Sequence, residues 1–299
     1  MAKLTEKMKE LKPYDLIVVD GKNMCFKYYH SMYSLKNRNG VKTGLYHGFL
    51  QLLTKLRKEN LYSRIVIVWE GGELVRKKMM KSYKAQRAKP DDNFTKQIIN
   101  LKNLLGLMGV EQKYSPGYEA DDVAATLVNK YEGKVLLVSG DDDWLQLMRR
   151  NVFFFRKNKK ISYEEMKKKK GFPPERIMIY NVLKGKPANN VKGICYFPEV
   201  LALDILNKCS MISDIFSNYS IPEKYSKWTQ ILWDNMEDIE NTYDIINLKK
   251  DVALEDLPCK ERNWKQGKKI LIDLQLFKVM NNLREIKRMK KEKSKTKKK

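Results

Sequence analysis

Leu16–Asp20 (LIVVD) sets four aliphatic residues in a row, three of them β-branched, and closes them with a carboxylate. A run this short and this apolar, without polar alternation, is the pattern of a strand buried on both faces. Three more runs share it: residues 65–70 (IVIVWE), 135–139 (VLLVS) and 152–155 (VFFF). Helical spacing fills the intervals between the first three. Residues 44–59 carry Leu45, Phe49, Leu52, Leu53 and Leu56 on one face, and residues 94–108 and 119–131 behave similarly. Alternating strand and helix predicts an α/β fold with a parallel sheet covered on both faces. After about residue 163 the strand signal fades. Residues 173–184 read as a helix with proline at its start, and residues 198–208 as another. A turn-forming loop, residues 185–193, lies between them and contains Pro187, Asn189 and Asn190. Residues 271–273 (LID) fit either a strand or a helix. A domain boundary is expected near residues 160–170, followed by a mainly helical second domain. No internal repeat is visible.

The chain has 299 residues, comfortable for two domains. Its hydrophobic fraction of 42% is enough to build a core, which excludes wholesale disorder. No apolar run approaches the roughly 18–20 residues of a membrane helix. Residues 1–13 are charged and lack an apolar stretch, so no secretory signal is expected. Cys25, Cys195, Cys209 and Cys259 are scattered, with no C-x-x-C pair. That argues against a zinc ribbon or a disulfide framework and for a reducing, cytoplasmic compartment. The formal charge of +24 is concentrated in runs. Residues 76–89 hold Arg76, Lys77, Lys78, Lys81, Lys84, Arg87 and Lys89 and no acid. Residues 156–170 hold eight cations and two acids, and residues 284–299 ten cations and two acids. The last run reads as a frayed, disordered basic tail. A single charge run is usually a solvated face, but this excess points to a polyanion, with nucleic acid first and a membrane surface poorly supported.

The acids fall at strand ends. Asp20 closes the first run and Glu70 the second, while Asp141, Asp142 and Asp143 follow the third after Ser139-Gly140. Glu119, Asp121 and Asp122 open a helix just after Pro116-Gly117. Any one of these alone reads as a turn former or helix cap. Together they converge on the crevice beyond the carboxyl ends of a parallel sheet. Two carboxylates about 4 Å apart repel by about 4 kcal/mol at an effective dielectric near 20, so gathering several requires protons or cations. An all-oxygen donor set favours Mg²⁺ or Mn²⁺. His30 and His47 are the only histidines, and neither is placed for zinc hydrolysis or a Ser-His-Asp triad. Acids for metal and cations for phosphate suggest phosphodiester hydrolysis.

These motifs resemble the flap endonuclease / 5′-3′ exonuclease family, particularly its small phage-type members. Ile17-Val18-Val19-Asp20-Gly21 is similar to the family's first strand and metal-binding aspartate. Val68-Trp69-Glu70 takes the place of a strand-end aspartate. Arg76 and Tyr83-Lys84-Ala85-Gln86-Arg87 resemble its Arg…Tyr-Lys-x-x-Arg stretch. Residues 117–125 resemble its Gly-x-Glu-Ala-Asp-Asp block, and residues 139–147 its Thr-x-Asp-x-Asp-x-x-x-Leu block. The resemblance implies a PIN-like nuclease domain over 1–165 with a helical arch at about 71–95, a helix-three-turn-helix DNA-binding domain over 166–283, and the basic tail. It implies metal ligation by Asp20, Glu70, Glu119, Asp121, Asp122, Asp141 and Asp143, and a scissile phosphate held by Lys84 and Arg87. Arg76, Lys77, Lys81, Tyr83, Lys186 and Lys192 would join them in contacting the nucleic acid.

One block departs from the family. The family's Gly-Asp-x-x-Asp-Asn-Ile-x-Gly is here Gly185-Lys186-Pro187-Ala188-Asn189-Asn190-Val191-Lys192-Gly193, so both acids of a second metal site are replaced. Tyr196-Phe197-Pro198 replaces the glycine hairpin that should follow. The resemblance implies a monomeric Mg²⁺- or Mn²⁺-dependent 5′ nuclease acting on branched or 5′-ended DNA or on RNA–DNA hybrids. A polymerase, single-strand binding protein or clamp is the implied partner class. The departure favours an alternative, a branched-DNA-binding protein with weakened catalysis.

Overall fold

The structure is a computed structural model and describes residues 14–72, 75–88 and 90–296. The N-terminal stretch 1–13, Lys89 of the first cationic run and the final three lysines lie outside the described residues. Seven strands, β1 (Leu16–Asp20), β2 (Arg64–Val68), β3 (Glu111–Tyr114), β4 (Val135–Val138), β5 (Val152–Arg156), β6 (Lys159–Ile161) and β7 (Glu255–Asp256), form one sheet in the order β6-β5-β4-β1-β2-β3-β7. The five strands β1 to β5 run parallel, and β6 and β7 add antiparallel edges. The four apolar runs all form strands. The polar β3 (EQKY) gives no such signal, because it lies toward the sheet margin and only Gln112 is buried.

The uninterrupted apolar runs have a direct explanation. Leu16, Val18, Val66, Val68, Leu137 and Phe154 face one apolar cluster, and Ile17, Val19, Ile67, Leu136 and Phe155 face the other. Successive side chains alternate across the pleat, so a strand buried on both sides has no polar position to spare. The helices before the second half are α1 (Gly21–Ser31), α2 (Gly44–Glu59), α3 (Val75–Met79), α4 (Asp92–Leu107) and α5 (Ala120–Asn129). Then come α6 (Tyr163–Lys170), α7 (Ile177–Lys184), α8 (Glu199–Lys208), α9 (Asp214–Ser217), α10 (Lys227–Asp234), α11 (Met236–Ile246), α12 (Trp264–Asp273) and α13 (Phe277–Thr296). Among the described residues, no helix is long and apolar enough to cross a membrane.

The first cluster passes without a break from the sheet through α5 into α7, α8, α10 and α11. The last two helices return to the opposite face, where Leu271, Leu276, Val279 and Met280 join the second cluster. The stretch 271–273 is therefore helical. Residues 284–296, read from sequence as a disordered tail, instead continue α13. Buried Val279, Met280 and Ile286, with Leu283 between them, make a seam at helical spacing. A helix nucleated on such a seam extends at little cost per residue.

The stretch 71–95 also differs from an open arch. Among its described residues it contains the short α3 and a chain of turns before α4 begins, and both Arg76 and Tyr83 are buried. Arg76 is the tie. Its Nη2 donates to Asp122 Oδ1 at 2.6 Å and its Nη1 to Asp122 Oδ2. Its Nε donates to the Ile245 carbonyl at 2.7 Å and its Nη2 to that of Asn247 at 3.0 Å. One guanidinium thus joins α3, α5 and the end of α11. Breaking a buried ion pair from one side costs about 3–5 kcal/mol, because the partner charge stays buried. Arg76→Ala should lower stability by that order in urea unfolding. Adding Asp122→Ala should cost less than the sum of the single effects. Strict additivity would show that the pair does not act as a unit.

Candidate metal centre and active site

β1 and β4 are neighbours in register, with Val19 opposite Val138, so Asp20 and the turn after β4 emerge at the same edge. Asp20 caps α1 by accepting from Asn23 N at 3.0 Å, and it accepts from Ser139 Oγ at 2.9 Å. Asp141 caps the 3-10 turn Asp142–Leu147 by accepting from Asp143 N at 3.0 Å. The capping reading of these acids is therefore correct as far as it goes. The caps also hold the carboxylates in place. One oxygen each of Asp121, Asp141 and Asp143 lie within 4.8 Å of one another.

Crowding and burial show in the protonation of the group. Burial, then the nearby charges of Asp141 and Glu70, push Asp20 up to about 6 against two opposing hydrogen bonds. Burial, then Glu119 and Asp141, raise Asp121 well above the usual carboxylate range. Burial and Asp141 also raise Asp143, although Lys186 pulls the other way. Among the described residues, neither Asp20 nor Asp121 has an ion-pair partner. Asp121 Oδ1 instead accepts from the indole Nε1 of buried Trp144 at 2.7 Å.

The remaining predicted ligands are committed elsewhere. Glu70 stands two residues beyond β2 and pairs with Lys22 at 2.5 Å. Its loop is locked by Gly71, whose N–H donates to Tyr118 O at 2.9 Å and whose carbonyl accepts from Gly117 N at 3.0 Å. A Cβ on Gly71 would lie 1.7 Å from the Ser115 carbonyl oxygen, so only glycine fits. Burial opposes the Glu119 charge, yet Lys84 and Arg76 hold its carboxyl below the ordinary value. Lys84 Nζ pairs with Glu119 Oε1 at 2.5 Å. Asp122 is fully buried. Besides Arg76, it accepts from Lys249 N at 2.9 Å and Glu119 N at 3.2 Å, so no oxygen is left for a metal. Asp142, not among the predicted ligands, pairs with Arg156 and Lys170.

The cationic stretch is strapped onto the loop 185–193. Lys84, at φ +54°, donates its N–H to the Asn189 carbonyl at 3.2 Å. Gln86 Nε2 donates to Pro187 O at 2.5 Å, and Arg87 Nε to Ala188 O at 3.2 Å. Asn190 Nδ2 donates back to Ser82 O at 2.9 Å. Tyr83 lies beneath the strap, its hydroxyl donating to Glu119 Oε2 at 3.2 Å. Of the predicted nucleic-acid contacts, Lys77, Lys81, Arg87 and Lys192 are exposed, Lys84 and Lys186 are partly covered, and Arg76 and Tyr83 are buried. Lys22, Ser139, Trp144 and Asn181 escaped the sequence reading as parts of the site. Lys22 follows Asp20 by two positions, and Ser139 and Trp144 lie inside the block 139–147, which are the signals that point to them.

The chain has relatives of known name. The family model for the 5′-3′ exonuclease N-terminal resolvase-like domain matches residues 15–171. The 5′-3′ exonuclease of Aquifex aeolicus (strain VF5) is 30% identical over 281 residues, covering 91% of this chain and 96% of that protein. The 5′-3′ exonuclease of Buchnera aphidicola subsp. Acyrthosiphon pisum is 29% identical over 260 residues, covering 83% and 91%. The thermostable DNA polymerase I of Thermus filiformis is 28% identical over 250 residues, 82% of this chain but 30% of that enzyme. The fold is shared with the T5 D15 protein co-crystallised with metal ions, at a TM-score of 0.65 and 19% identity, covering 91% of this chain and 98% of that one. With a family model over more than half its length and a near full-length relative at 30% identity, the chain belongs to the 5′-3′ exonuclease family of nucleases.

Proposed function

We propose that this nuclease is a divalent-metal-dependent, structure-specific 5′ nuclease. It hydrolyses a phosphodiester bond of DNA near a 5′ flap junction or 5′ end, RNA–DNA junctions included, during replication or repair in the cytoplasm. One observation carries the reading: Asp121, Asp141 and Asp143 meet at the carboxyl edge of a parallel sheet, with Asp20 close enough to be raised by the charge of Asp141, in a chain of net charge +24. The donor set fits Mg²⁺ or Mn²⁺, being oxygen-only and lacking internal counter-ions at Asp20 and Asp121. A cation there offsets the burial and mutual repulsion that raise Asp20 and Asp121.

Asp20, Asp121 and Asp141 would hold the ion, with Asp143 beside them and Glu70 and Glu119 at the margin. When bound, the ion supplies the charge that makes water a nucleophile at neutral pH and polarises the phosphoryl oxygens. Lys84 and Arg87 border the loop beside the acids and would hold the scissile phosphate. Exposed Lys77, Lys81 and Lys192 would track neighbouring phosphates, and the helices after residue 166 would grip the duplex. The related segment within the DNA polymerase I of Thermus filiformis supports work beside a polymerase. The chain would act as a monomer. The second reading, a branched-DNA binder with weakened catalysis, is favoured by the contact of Lys186 with Asp143.

A 5′-labelled flap with Mg²⁺ or Mn²⁺ separates the two readings. Metal-dependent cleavage near the junction, reduced at least about 100-fold in Asp141→Asn, is expected. Tight flap binding with no product in either metal would leave the binding reading. Phosphate contacts are read by salt. Lys77→Ala and Lys81→Ala should each reduce the slope of log K against log salt by about 1. Tyr83→Phe, being buried, should leave that slope alone.

The raised Asp20 value predicts a pH effect in metal-free protein. About 6 in the native state lies above the value near 3.9 of the unfolded chain. Native protein therefore retains a proton that unfolded protein releases. The favourable contribution is complete below about pH 4 and is lost as pH rises through 6. Asp20→Asn should thus stabilise the metal-free protein by on the order of 1–2 kcal/mol more at pH 7.5 than at pH 4.5. Equal shifts in melting temperature at both pH values would refute this.

A further inference from the structure

Lys186 stands against the acids. Its ammonium donates to Asp143 Oδ1 and, at 3.4 Å, to Asp141 Oδ1. Asn189, which is buried, donates from Nδ2 to the other Asp143 oxygen at 3.3 Å and accepts from Arg87 Nη2 at 3.0 Å. Asn181 Nδ2 adds a 3.5 Å contact to Asp143 Oδ1. Both oxygens of Asp143 therefore receive N–H donors from uncharged amides or an ammonium.

This is a built contact and not a stray surface lysine. Lys186 N donates to Val191 O at 2.8 Å and Val191 N returns to Lys186 O at 3.2 Å, with the Val191 side chain buried. The loop closes so tightly that a Cβ on Gly193 would lie 2.2 Å from Gly185 N. The lysine side chain is only 18% exposed, and Asp143 only 7%.

Resting on the nuclease reading above, we propose that the centre takes one divalent ion, at Asp20, Asp121 and Asp141, and that the Lys186 ammonium is its permanent second positive charge. Hydrolysis forms a bond from water oxygen to phosphorus while the ester P–O bond breaks. The attacking water gives up a proton to solvent, and the departing alkoxide carries negative charge until solvent protonates it. Positive charge is useful at both the entering and the leaving oxygen. An ammonium is a compact point charge with rotatable donors, suited to the leaving side and unable to activate water. It also bars a second ion, which would have to sit at contact distance from a like charge on carboxylates already occupied.

The test is Mn²⁺ titration of the full chain, read by electron paramagnetic resonance of free Mn²⁺ and by calorimetry, beside flap cleavage at saturating ion. One Mn²⁺ per wild-type chain is expected, and two for Lys186→Asp/Asn189→Asp. Lys186→Met should still bind one ion and still bind the flap, but cleave about 100-fold more slowly, with no rescue by excess metal. Two ions in the wild type would overturn the proposal while leaving the nuclease reading intact. No bound ion and no cleavage in the wild type would overturn both. A double variant that folds by circular dichroism yet takes only one ion overturns Lys186 as the excluding group. Should the double variant not fold, the wild-type stoichiometry and Lys186→Met decide. Unchanged cleavage by Lys186→Met overturns the catalytic charge.

Discussion

Mutual repulsion among carboxylates is the constraint that organises this molecule. Eight acids leave the same edge of the sheet or the turns beside it, and the surrounding structure is arranged to neutralise most of them. Glu70 has Lys22, Glu119 has Lys84 and Arg76, Asp122 has Arg76, Asp142 has Arg156 and Lys170, and Asp143 and Asp141 share Lys186. Asp20 and Asp121 are the exceptions, and burial with nearby like charge raises both carboxyls above the ordinary value. A fold that neutralises the flanks and leaves the centre acidic has defined where a cation belongs.

The same neutralisation couples the cationic stretch to the helical half. Arg76 and Lys84 are sequence neighbours of the exposed lysines, yet both turn inward because Glu119 and Asp122 sit beneath them. The strap is consequently short and closed, fastened to the loop 185–193 by main-chain contacts and to α11 through the guanidinium. Substrate reaching Asp141, the most exposed of the clustered acids, meets this strap and the loop together. Charge balance at the acidic cluster and the position of the helical half are thus parts of one arrangement.

The legible and illegible parts of the sequence divide along physical lines. Strands buried on both faces were readable because burial permits only apolar residues, and Leu16–Asp20 shows this fully. β3 was not, because a marginal strand tolerates Glu111 and Lys113. The convergence of Asp20, Asp121, Asp141 and Asp143 followed from parallel topology alone. Which acids would be spent internally did not, since Asp121 and Asp122 are adjacent in sequence and differ only in the direction each faces from α5. Arg76 and Tyr83 misled for the related reason that a cationic run reads as solvated unless its buried partners are known. The helical continuation past residue 284 depends on a seam of three or four apolar residues within a lysine-rich stretch, too sparse to outweigh composition.

Asn189 shows why the substitutions in the loop 185–193 form a set. As an amide it donates to Asp143 and accepts from Arg87 at once. An aspartate there could accept from Arg87 but would face Asp143 as a second anion. A lysine at 186 beside an acid at 189 would be drawn to that acid as well as to Asp143. Replacing one acid by a cation thus makes a neutral donor the fitting partner at the other. The pair Lys186 and Asn189 supports the reading of an altered but working centre better than that of a decayed one. Loss of selection would remove ligands, whereas here both substituents direct their donors at one carboxylate.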